Sequence, residues 1–454
     1  MTRTTLKPLF QETTVTDYFN GVLKTEAWLN DLAIASEEGL YWQDKGGKIS
    51  LDLYSGATGV ILFYIQLYQE TKNPTDLQIA EKTGLDVVHR LTNPAAEDNV
   101  EAPLFATLAN ADNGFYLGNA GIAFVLIALA KVSDKPIFKR IAHNLTEKIV
   151  NQAIKTEHGV KWTGATGIIF DSGTLLFLVT AADYFNQPEW TEVAIQAGHE
   201  ILSTAVNRSD DEVIYYGLPN ETITPFFGLD PSVQYEFPNF EYGTAGAGYT
   251  FARLYEISGQ KIFLDEAIKA ANHVTRIATH IHDQAALIPY RFPDQADVYY
   301  LGFCHGPVGT ARLYYKLWQI TQDTAYLEWA EKLARGIIEA QAPQEQSLGY
   351  WRVQSQCCGT AAFIELFLGL YAATQKSEYL DYAKCSGDKI LSEATVVDDK
   401  ASWFQQYSRI DPEIISQEIG YSSGAAGIGT ALLHLVTALK GTYQPIRLSD
   451  DPFI

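Results

Sequence analysis

The feature that most constrains the fold of this 454-residue chain is a short glycine phrase that recurs along it. Each copy is a Gly-x-x-Gly sequence, or a near variant, followed by an apolar run with helical spacing. The copies lie about 61 residues apart on average, which is enough for two helices and two loops per unit. Seven units result, and the second glycine of the phrase, or its replacement, is Gly59, Gly121, Gly173, Gly246, Gly309, Ala362 or Gly427.

The third unit carries two possible copies of the phrase. Residues 163–167 match it in sequence, but the apolar run that follows them is out of register with the other units. The degenerate copy that ends at Gly173 is followed at the right distance by an apolar helical run from Leu175. We therefore take Gly173 as the equivalent of the second glycine.

A second helix is visible in several units. In three units this helix opens with a five-residue phrase that begins with an aromatic residue and Leu and ends with Ala, at 263–267, 326–330 and 379–383. The residues that follow are apolar on one face of the helix. The helix after each glycine phrase is apolar on nearly all sides, as expected of a buried helix. This alternation predicts an all-α fold, an α/α toroid of seven inner and seven outer helices. An open solenoid is the alternative, but its units usually have about 33–47 residues.

We expect one domain, residues 1–454, with the repeats between about 50 and 440. The irregular stretch 207–240, rich in Pro, Asp and aromatic residues, is expected to cover one mouth of the ring. The tail 441–454 is expected to close the barrel or to bind across it.

Composition excludes several classes of function. The chain has 33 Lys and Arg against 54 Asp and Glu, a net charge of −21, which disfavours nucleic acid and anionic membranes as partners. Four cysteines are too few for a disulfide scaffold. The first residues lack the apolar core of a signal peptide, and no apolar run reaches the roughly 20 residues of a membrane span. A soluble, cytoplasmic protein is therefore expected.

Three of the four cysteines fall in the same two-residue segment of the repeat. The residues just before the first glycine should ring one mouth of the toroid, and in units five and six they are Cys304-His305 and Cys357-Cys358. Units five and six are neighbours, so the three sulfurs should meet, and thiolates at helix N-termini are expected to have a lowered pKa. We infer a zinc site with Cys304, Cys357 and Cys358 as ligands and a fourth position open. Buried free thiols, or a strained Cys357–Cys358 disulfide, are the alternatives.

Other residues of this mouth are candidates for acid–base chemistry. His305 follows a ligand directly and could bind the metal, exchange a proton or pack, while Tyr242 holds the same position in unit four. Cys385 falls in an outer helix and should point away from the mouth as a structural residue.

These motifs give the chain a resemblance to a known family. The Cys-x-Gly-x-x-Gly sequence at 304–309 and the Cys-Cys-Gly sequence at 357–359 resemble the paired zinc motifs of the lanthionine synthetase C-like family, the lanthipeptide cyclases and their relatives. The resemblance extends from about residue 53 to residue 435. It implies an α/α toroid with zinc at the central mouth, and formation of lanthionine or methyllanthionine thioether rings. In that reaction a peptide Cys thiolate adds to dehydroalanine or dehydrobutyrine in a precursor peptide, and a general acid protonates the resulting enolate.

The sequence departs from the family pattern at several positions. Cys358 stands where the family usually has a His ligand, although three-thiolate sites occur in some members. His305 stands where the family favours Tyr, and Tyr242 occupies the place of the catalytic His. Only Asp171, out of register, can match a family aspartate. The resemblance therefore implies that His305, Tyr242 and Asp171 are the candidate catalytic residues, with the proton donor either His305 or Tyr242.

The resemblance also implies partners and alternatives. The repeats occupy the chain and leave no room for a dehydratase, so a separate dehydratase or kinase–lyase partner is expected to prepare the dehydrated precursor peptide. A relative that adds glutathione to dehydro residues, and a non-catalytic zinc protein that binds peptides or partner enzymes, are the alternatives. A carbohydrate-active enzyme on a similar toroid is disfavoured, because it needs paired carboxylates and the mouth register offers only Glu241.

Overall fold

The computed structural model describes residues 13–93, 100, 101, 108, 110–345, 353–406, 413 and 415–453. These residues form mostly helices, joined by loops and short strands. The helices are α1 Val15–Leu32, α2 Ala57–Thr71, α3 Pro74–Thr92, α4 Asn119–Ala130, α5 Pro136–Asn151, α6 Asp171–Phe185, α7 Pro188–Ser203, α8 Asn220–Phe227, α9 Thr244–Ser258, α10 Lys261–Ile277, α11 Pro307–Thr321, α12 Thr324–Glu339, α13 Thr360–Thr374, α14 Ser377–Glu393 and α15 Ala425–Lys440. The strands are β1 Ile34–Ala35, β2 Leu40–Tyr41, β3 Ile154–Lys155, β4 Val160–Lys161, β5 Val206–Asn207, β6 Val213–Ile214, β7 Thr279–His282, β8 Ala285–Leu287, β9 Thr395–Val397 and β10 Lys400–Ser402.

Fourteen of these helices form two concentric rings. The inner ring is α2, α4, α6, α9, α11, α13 and α15, in which each helix packs against the next and α15 packs against α2. Because the last inner helix meets the first, the ring is closed, which confirms the toroid and excludes the open solenoid. The outer ring is α3, α5, α7, α10, α12, α14 and α1, each paired with one inner helix.

The seventh outer helix comes from the start of the chain. Helix α1 lies beside α15 and supplies the outer partner that no segment after α15 provides among the described residues. The Tyr18 hydroxyl donates a hydrogen bond of 2.6 Å to the Asp388 carboxylate, 370 residues further along. The ring is thus closed by elements from opposite ends of the repeat array.

The glycine phrase marks the start of every inner helix. The seven positions assigned from the sequence are each the third residue of their helix, including Gly173 in α6 and Ala362 in α13. Two segments of the chain approach closely at this position, which explains the glycine, since a Cβ on Gly121 would lie 1.9 Å from the Phe115 carbonyl oxygen. A Cβ on Gly173 would lie 2.0 Å from the Ile168 oxygen. Gly173 is therefore the true equivalent in the third unit.

A two-residue turn joins most inner helices to their outer partners. The inner helix ends at a residue in the left-handed conformation, and the next residue is the N-cap of the outer helix. This arrangement reverses the chain and sets the two helices antiparallel. It occurs at Lys72, Asn186, Gly259, Gln322 and Gln375.

Within the described ranges, five antiparallel hairpins follow outer helices, a feature that was not predicted from the sequence. They pair β1 with β2, β3 with β4, β5 with β6, β7 with β8 and β9 with β10. After three of these hairpins a buried Trp indole donates to a carbonyl oxygen of the preceding outer helix, which fixes the hairpin to its unit. The pairs are Trp42 with Leu29 at 2.9 Å, Trp162 with Ile149 at 2.7 Å and Trp403 with Ile390 at 2.9 Å.

The C-terminal tail runs inside the inner ring. Residues 446–453 contact inner helices on several sides, for example through the Ile446 amide with Gln66 of α2 and the Ser449 hydroxyl with Thr180 of α6. The ring of Phe453 packs against Tyr315 of α11. Because these helices belong to different parts of the ring, the tail binds across its interior, one of the two arrangements expected from the sequence.

Candidate metal and peptide site

The loops at one mouth of the toroid are joined from unit to unit by backbone hydrogen bonds. The residue two positions before the N-cap of an inner helix donates its amide to the carbonyl of its counterpart in the next unit. The loops therefore form a nearly continuous rim in which neighbouring units are held in fixed register. The donor and acceptor pairs are Tyr54 to Tyr116 (2.9 Å), Ile168 to Glu241 (2.8 Å), Glu241 to Cys304 (2.9 Å), Cys304 to Cys357 (3.2 Å), Cys357 to Ser422 (3.0 Å) and Ser422 to Tyr54 (2.9 Å).

Three cysteine sulfurs meet on this rim. The Cys304 Sγ lies 3.3 Å from the Cys358 Sγ, and the Cys358 Sγ lies 3.4 Å from the Cys357 Sγ. All three sulfurs are within 4.8 Å of one another. Cys304 and Cys357 are buried, whereas Cys358 is partly exposed. The sequence placed these residues in one register, and the structure brings them together.

The geometry of the three sulfurs fits a zinc ion. Two thiolate sulfurs that each lie about 2.3 Å from zinc, at a tetrahedral angle, are about 3.8 Å apart, and the observed separations of 3.3 and 3.4 Å are within about half an ångström of this value. Soft sulfur donors suit zinc, and three protein ligands leave one position for a fourth.

The pKa of the Cys357 thiol differs in direction from the value expected from the sequence. Hydrogen bonds with Cys304 and Cys358, together with burial, raise the pKa of the Cys357 thiol well above its usual value. A lowered pKa was expected from the helix N-termini, but three sulfurs packed together disfavour the negative charge on any one of them. A bound cation reverses that preference, because thiol ligands lose their protons on coordination.

His305 lies beside the cysteines in a box of aromatic rings. Its imidazole centroid is 5.0 Å from that of Tyr290, 5.1 Å from that of Tyr242 and 5.6 Å from that of Phe237. The His305 side chain is buried, and its Nε2 lies 3.9 Å from a carboxylate oxygen of Glu241. Glu241, Cys304 and His305 together form the second group of potential metal ligands among the described residues.

Tyr242 occupies the neighbouring unit and faces the same space. Burial, with the nearby Glu241 carboxylate and the cysteines, raises the pKa of Tyr242 well above its usual value. Tyr242 therefore stays protonated at neutral pH and is a weaker acid than an ordinary tyrosine. Its contact with His305 means that the two candidate proton donors lie side by side.

Asp171 is the first residue of α6, and its carboxylate faces a loop of its own unit. It accepts hydrogen bonds from the amides of Trp162 at 3.1 Å, Thr163 at 3.0 Å and Gly164 at 3.1 Å, and from the Thr163 hydroxyl at 2.7 Å. Burial raises the pKa of this carboxyl despite these bonds. Asp171 is not part of either cluster of potential metal ligands.

Part of the 207–240 stretch lies over this region. The ring of Phe227, at the end of α8, is 5.6 Å from that of Phe237 and 6.4 Å from that of Tyr242. Phe237 in turn contacts His305, so the stretch supplies one wall of the aromatic box. Phe237 and Tyr290 could not be predicted as site residues from the sequence, because neither belongs to the repeated phrase.

Cys385 is the fourth cysteine and lies on outer helix α14. Burial raises the pKa of its thiol to about 11. It is absent from the metal clusters and sits in the outer ring, as the sequence predicted.

Comparison with known proteins adds the following findings. A family model described as "Lanthionine synthetase C-like protein" matches residues 47–442. Among solved structures, the chain is similar to one described as "Nisin cyclase", with a TM-score of 0.65 and 15% identity over 97% of this chain and 99% of that chain. It is less similar to a D-mannose isomerase, with a TM-score of 0.49 and 12% identity over 85% of this chain and 100% of that chain. No curated protein sequence matches the chain.

At this level of identity, the similarity to the nisin cyclase structure shows a shared fold. Among the described residues, no helix has both the length and the apolar character needed to cross a bilayer.

Proposed function

Because the chain belongs to the lanthionine synthetase C-like family, we propose that it is a zinc-dependent cyclase that forms thioether rings in a dehydrated precursor peptide. The observation that carries the proposal is the meeting of the Cys304, Cys357 and Cys358 sulfurs at the mouth of a closed toroid. We propose that a peptide segment reaches the sulfurs at this mouth, where the ring holds them in place.

The three cysteines would hold the zinc ion and leave its fourth position for a thiol of the peptide. When bound, zinc lowers the pKa of such a thiol, so that the peptide sulfur is a nucleophilic thiolate at neutral pH. Cys358 is the partly exposed member of the set, and we propose that the peptide thiol approaches the metal from its side. A set of three thiolates carries more negative charge than one with a His ligand, which makes the peptide sulfur more nucleophilic.

The addition itself needs a proton donor. The peptide sulfur forms a bond to Cβ of dehydroalanine or dehydrobutyrine, the electrons of the C=C bond move onto the adjoining carbonyl as an enolate, and Cα then takes up a proton. We assign the donor role to the His305 imidazole, which lies beside the cysteines with Glu241 nearby. Tyr242 is the second candidate, and its raised pKa makes it the weaker acid.

The substrate and its supply follow from this chemistry. The dehydro residues must be made before ring closure, and we propose that a separate dehydratase or kinase–lyase enzyme makes them. We place the reaction in the cytoplasm, where thiols are kept reduced, as are the four cysteines of this chain, which form no disulfide. The alternative function is a zinc-binding relative that adds glutathione or binds peptides without catalysis.

The proposal is tested by incubating the protein with a dehydrated precursor peptide and then treating the mixture with a thiol-alkylating reagent. Ring closure leaves the peptide mass unchanged but removes free thiols, so mass spectrometry should show fewer alkyl groups than in the peptide incubated alone. The same peptide with its cysteines replaced by serine is the control. If the alkylation pattern is unchanged over long incubation, the cyclase proposal fails and the non-catalytic relative takes its place.

We expect chelation to abolish ring closure without unfolding the ring. The zinc would join mouth loops of two units, whereas the helices are held by an apolar core that extends around the whole ring, far beyond the three cysteines at its edge. Far-UV circular dichroism before and after chelation is the measurement, with readdition of zinc as the control for reversibility. Wholesale loss of helical signal on chelation would show that the metal is structural.

We propose that Asp171 acts by holding the loop at 162–164 and does not contact the peptide. Asp171→Asn should lower the free energy of unfolding by about 1–3 kcal/mol, because the Asn amide would place a donor against backbone donors. Thermal unfolding and the zinc-loaded cyclisation rate are compared in the same variant. A large loss of rate with an unchanged melting temperature would instead support the catalytic role that the family resemblance implies.

A further inference from the structure

A fully buried carboxylate of the tail lies inside the ring beneath the cysteine site. Asp450 has no exposed surface, and its carboxylate lies 3.1 Å from Nη1 of Arg312 on α11. The same Arg312 nitrogen donates to the Asp450 backbone oxygen at 3.0 Å. The Tyr116 hydroxyl donates to the carboxylate at 2.9 Å. Asp450 thus binds a residue of unit two and a residue of unit five at once.

The arginine of this pair occupies a special position in the repeat. Arg312 is the sixth residue of its inner helix, and only the two cysteine-bearing units place a charged residue there, Arg312 in unit five and Glu365 in unit six. The toroid itself does not require a charge at this position. The sixth residues of the other inner helices are Leu62, Phe124, Leu176, Tyr249 and Thr430.

Both partners of Asp450 pack against the residue that precedes a metal ligand. The Arg312 guanidinium carbon lies 4.6 Å from the centroid of the Phe303 ring, within the range of a cation–π contact. The Tyr116 ring centroid lies 5.7 Å from that of Phe303. Phe303 directly precedes Cys304, so the packing of its ring helps to fix the backbone that carries the Cys304 sulfur.

We propose that Asp450 is a positioning residue for the metal site. It holds Arg312 and Tyr116 against Phe303, and this support fixes Cys304 relative to Cys357 and Cys358. The buried guanidinium needs the carboxylate, since an uncompensated buried charge is strongly unfavourable and would turn away from its apolar surroundings. The inference rests on the proposed zinc site and adds the tail as the element that sets its geometry.

The test compares zinc affinity with stability in full-length variants. Asp450→Asn should raise the dissociation constant for zinc by about 10–100-fold, the usual effect of removing a residue that supports a metal ligand. The constant is measured by competition with a chromophoric zinc chelator, and the melting temperature of the metal-free protein is recorded beside it. Tyr116→Phe keeps the ring on Phe303 but loses the hydroxyl, so it should show a smaller rise and tests the inference even if Asp450→Asn does not fold.

Glu256→Gln is the matched control. Glu256 pairs with the buried Lys316, one turn further along the same helix α11, at 3.2 Å. Its loss should lower the melting temperature and leave the zinc constant unchanged. The inference is overturned if Asp450→Asn behaves like this control, with reduced stability and wild-type affinity for zinc. Failure of the unsubstituted protein to bind zinc overturns the proposed function itself, and the positioning role with it.

Discussion

The double variant Cys357→Ala/Cys358→Ala is expected to lose both its zinc and its ring-closing activity. The unsubstituted protein, purified without chelators, should contain about one zinc per chain, because the three sulfurs offer a single set of ligands. Removing two of the three sulfurs leaves Cys304 with only Glu241 and His305 nearby, a single thiolate in place of three and too weak a set of ligands to keep zinc through purification. Elemental analysis of the purified proteins is the measurement, and the cyclisation assay follows on the same samples.

Cys385→Ala is the control for this experiment. It removes a buried thiol from the outer ring without touching the mouth, so its zinc content should equal that of the unsubstituted protein. Full metal content in the double variant, or a content near zero in the unsubstituted protein, would refute the assignment of the three cysteines as ligands.

The variant His305→Asn is expected to close rings about 10²–10⁴-fold more slowly while keeping its zinc. Asn cannot release a proton at neutral pH, so the enolate must take its proton from a poorer source. The cysteine sulfurs are untouched by the substitution, and the metal content should stay at its normal value. Cyclisation rates and zinc content are measured together, because a loss of both would indicate that His305 supports the metal instead.

Tyr242→Phe separates the two candidate donors. It keeps the ring that contacts His305 at 5.1 Å and removes only the hydroxyl. A modest change of rate is expected if His305 is the acid. If Tyr242→Phe shows the large loss and His305→Asn does not, the roles are reversed, and if both variants close rings at the normal rate, neither residue is the donor.

The ring architecture and the cysteine cluster could be predicted from the sequence because both follow from the repeat. A phrase that recurs at regular intervals places equivalent residues at one end of a closed ring, so Cys304 and Cys357 had to be neighbours. Gly173 could be chosen over Gly167 on the same ground. The family resemblance then supplied the chemistry that register alone does not specify.

The features that could not be predicted from the sequence carry no repeated sequence pattern. Helix α1 does not carry the five-residue phrase of α10, α12 and α14, so its place beside α15 was not visible in the sequence. Strands of two to four residues are too short to show an alternating pattern. The contact between Arg312 and Asp450 joins residues 138 apart in sequence, and nothing in either segment points to the other.

The pKa of the thiols was misjudged for a different reason. The position of the cysteines before helix N-termini was visible in the sequence, and it argued for easier ionisation. The distances among the sulfurs were not visible, and the crowding that raises the pKa of Cys357 depends on those distances. The position before a helix N-terminus favours a lowered pKa, but the packing of the three sulfurs in the folded protein raises it.

The closure of the ring by α1 and α15 also determines when the metal site can form. The rim that positions Cys357 continues through Ser422 to Tyr54, so it is complete only after the last unit has docked on the first. Contacts between such distant segments form late in folding, because the chain entropy lost in bringing them together is paid before they stabilise anything. A partly folded chain can contain its helical hairpins and still lack the trio of sulfurs in register. We therefore expect a chain whose first and last units are not yet joined to bind zinc less tightly than the closed ring.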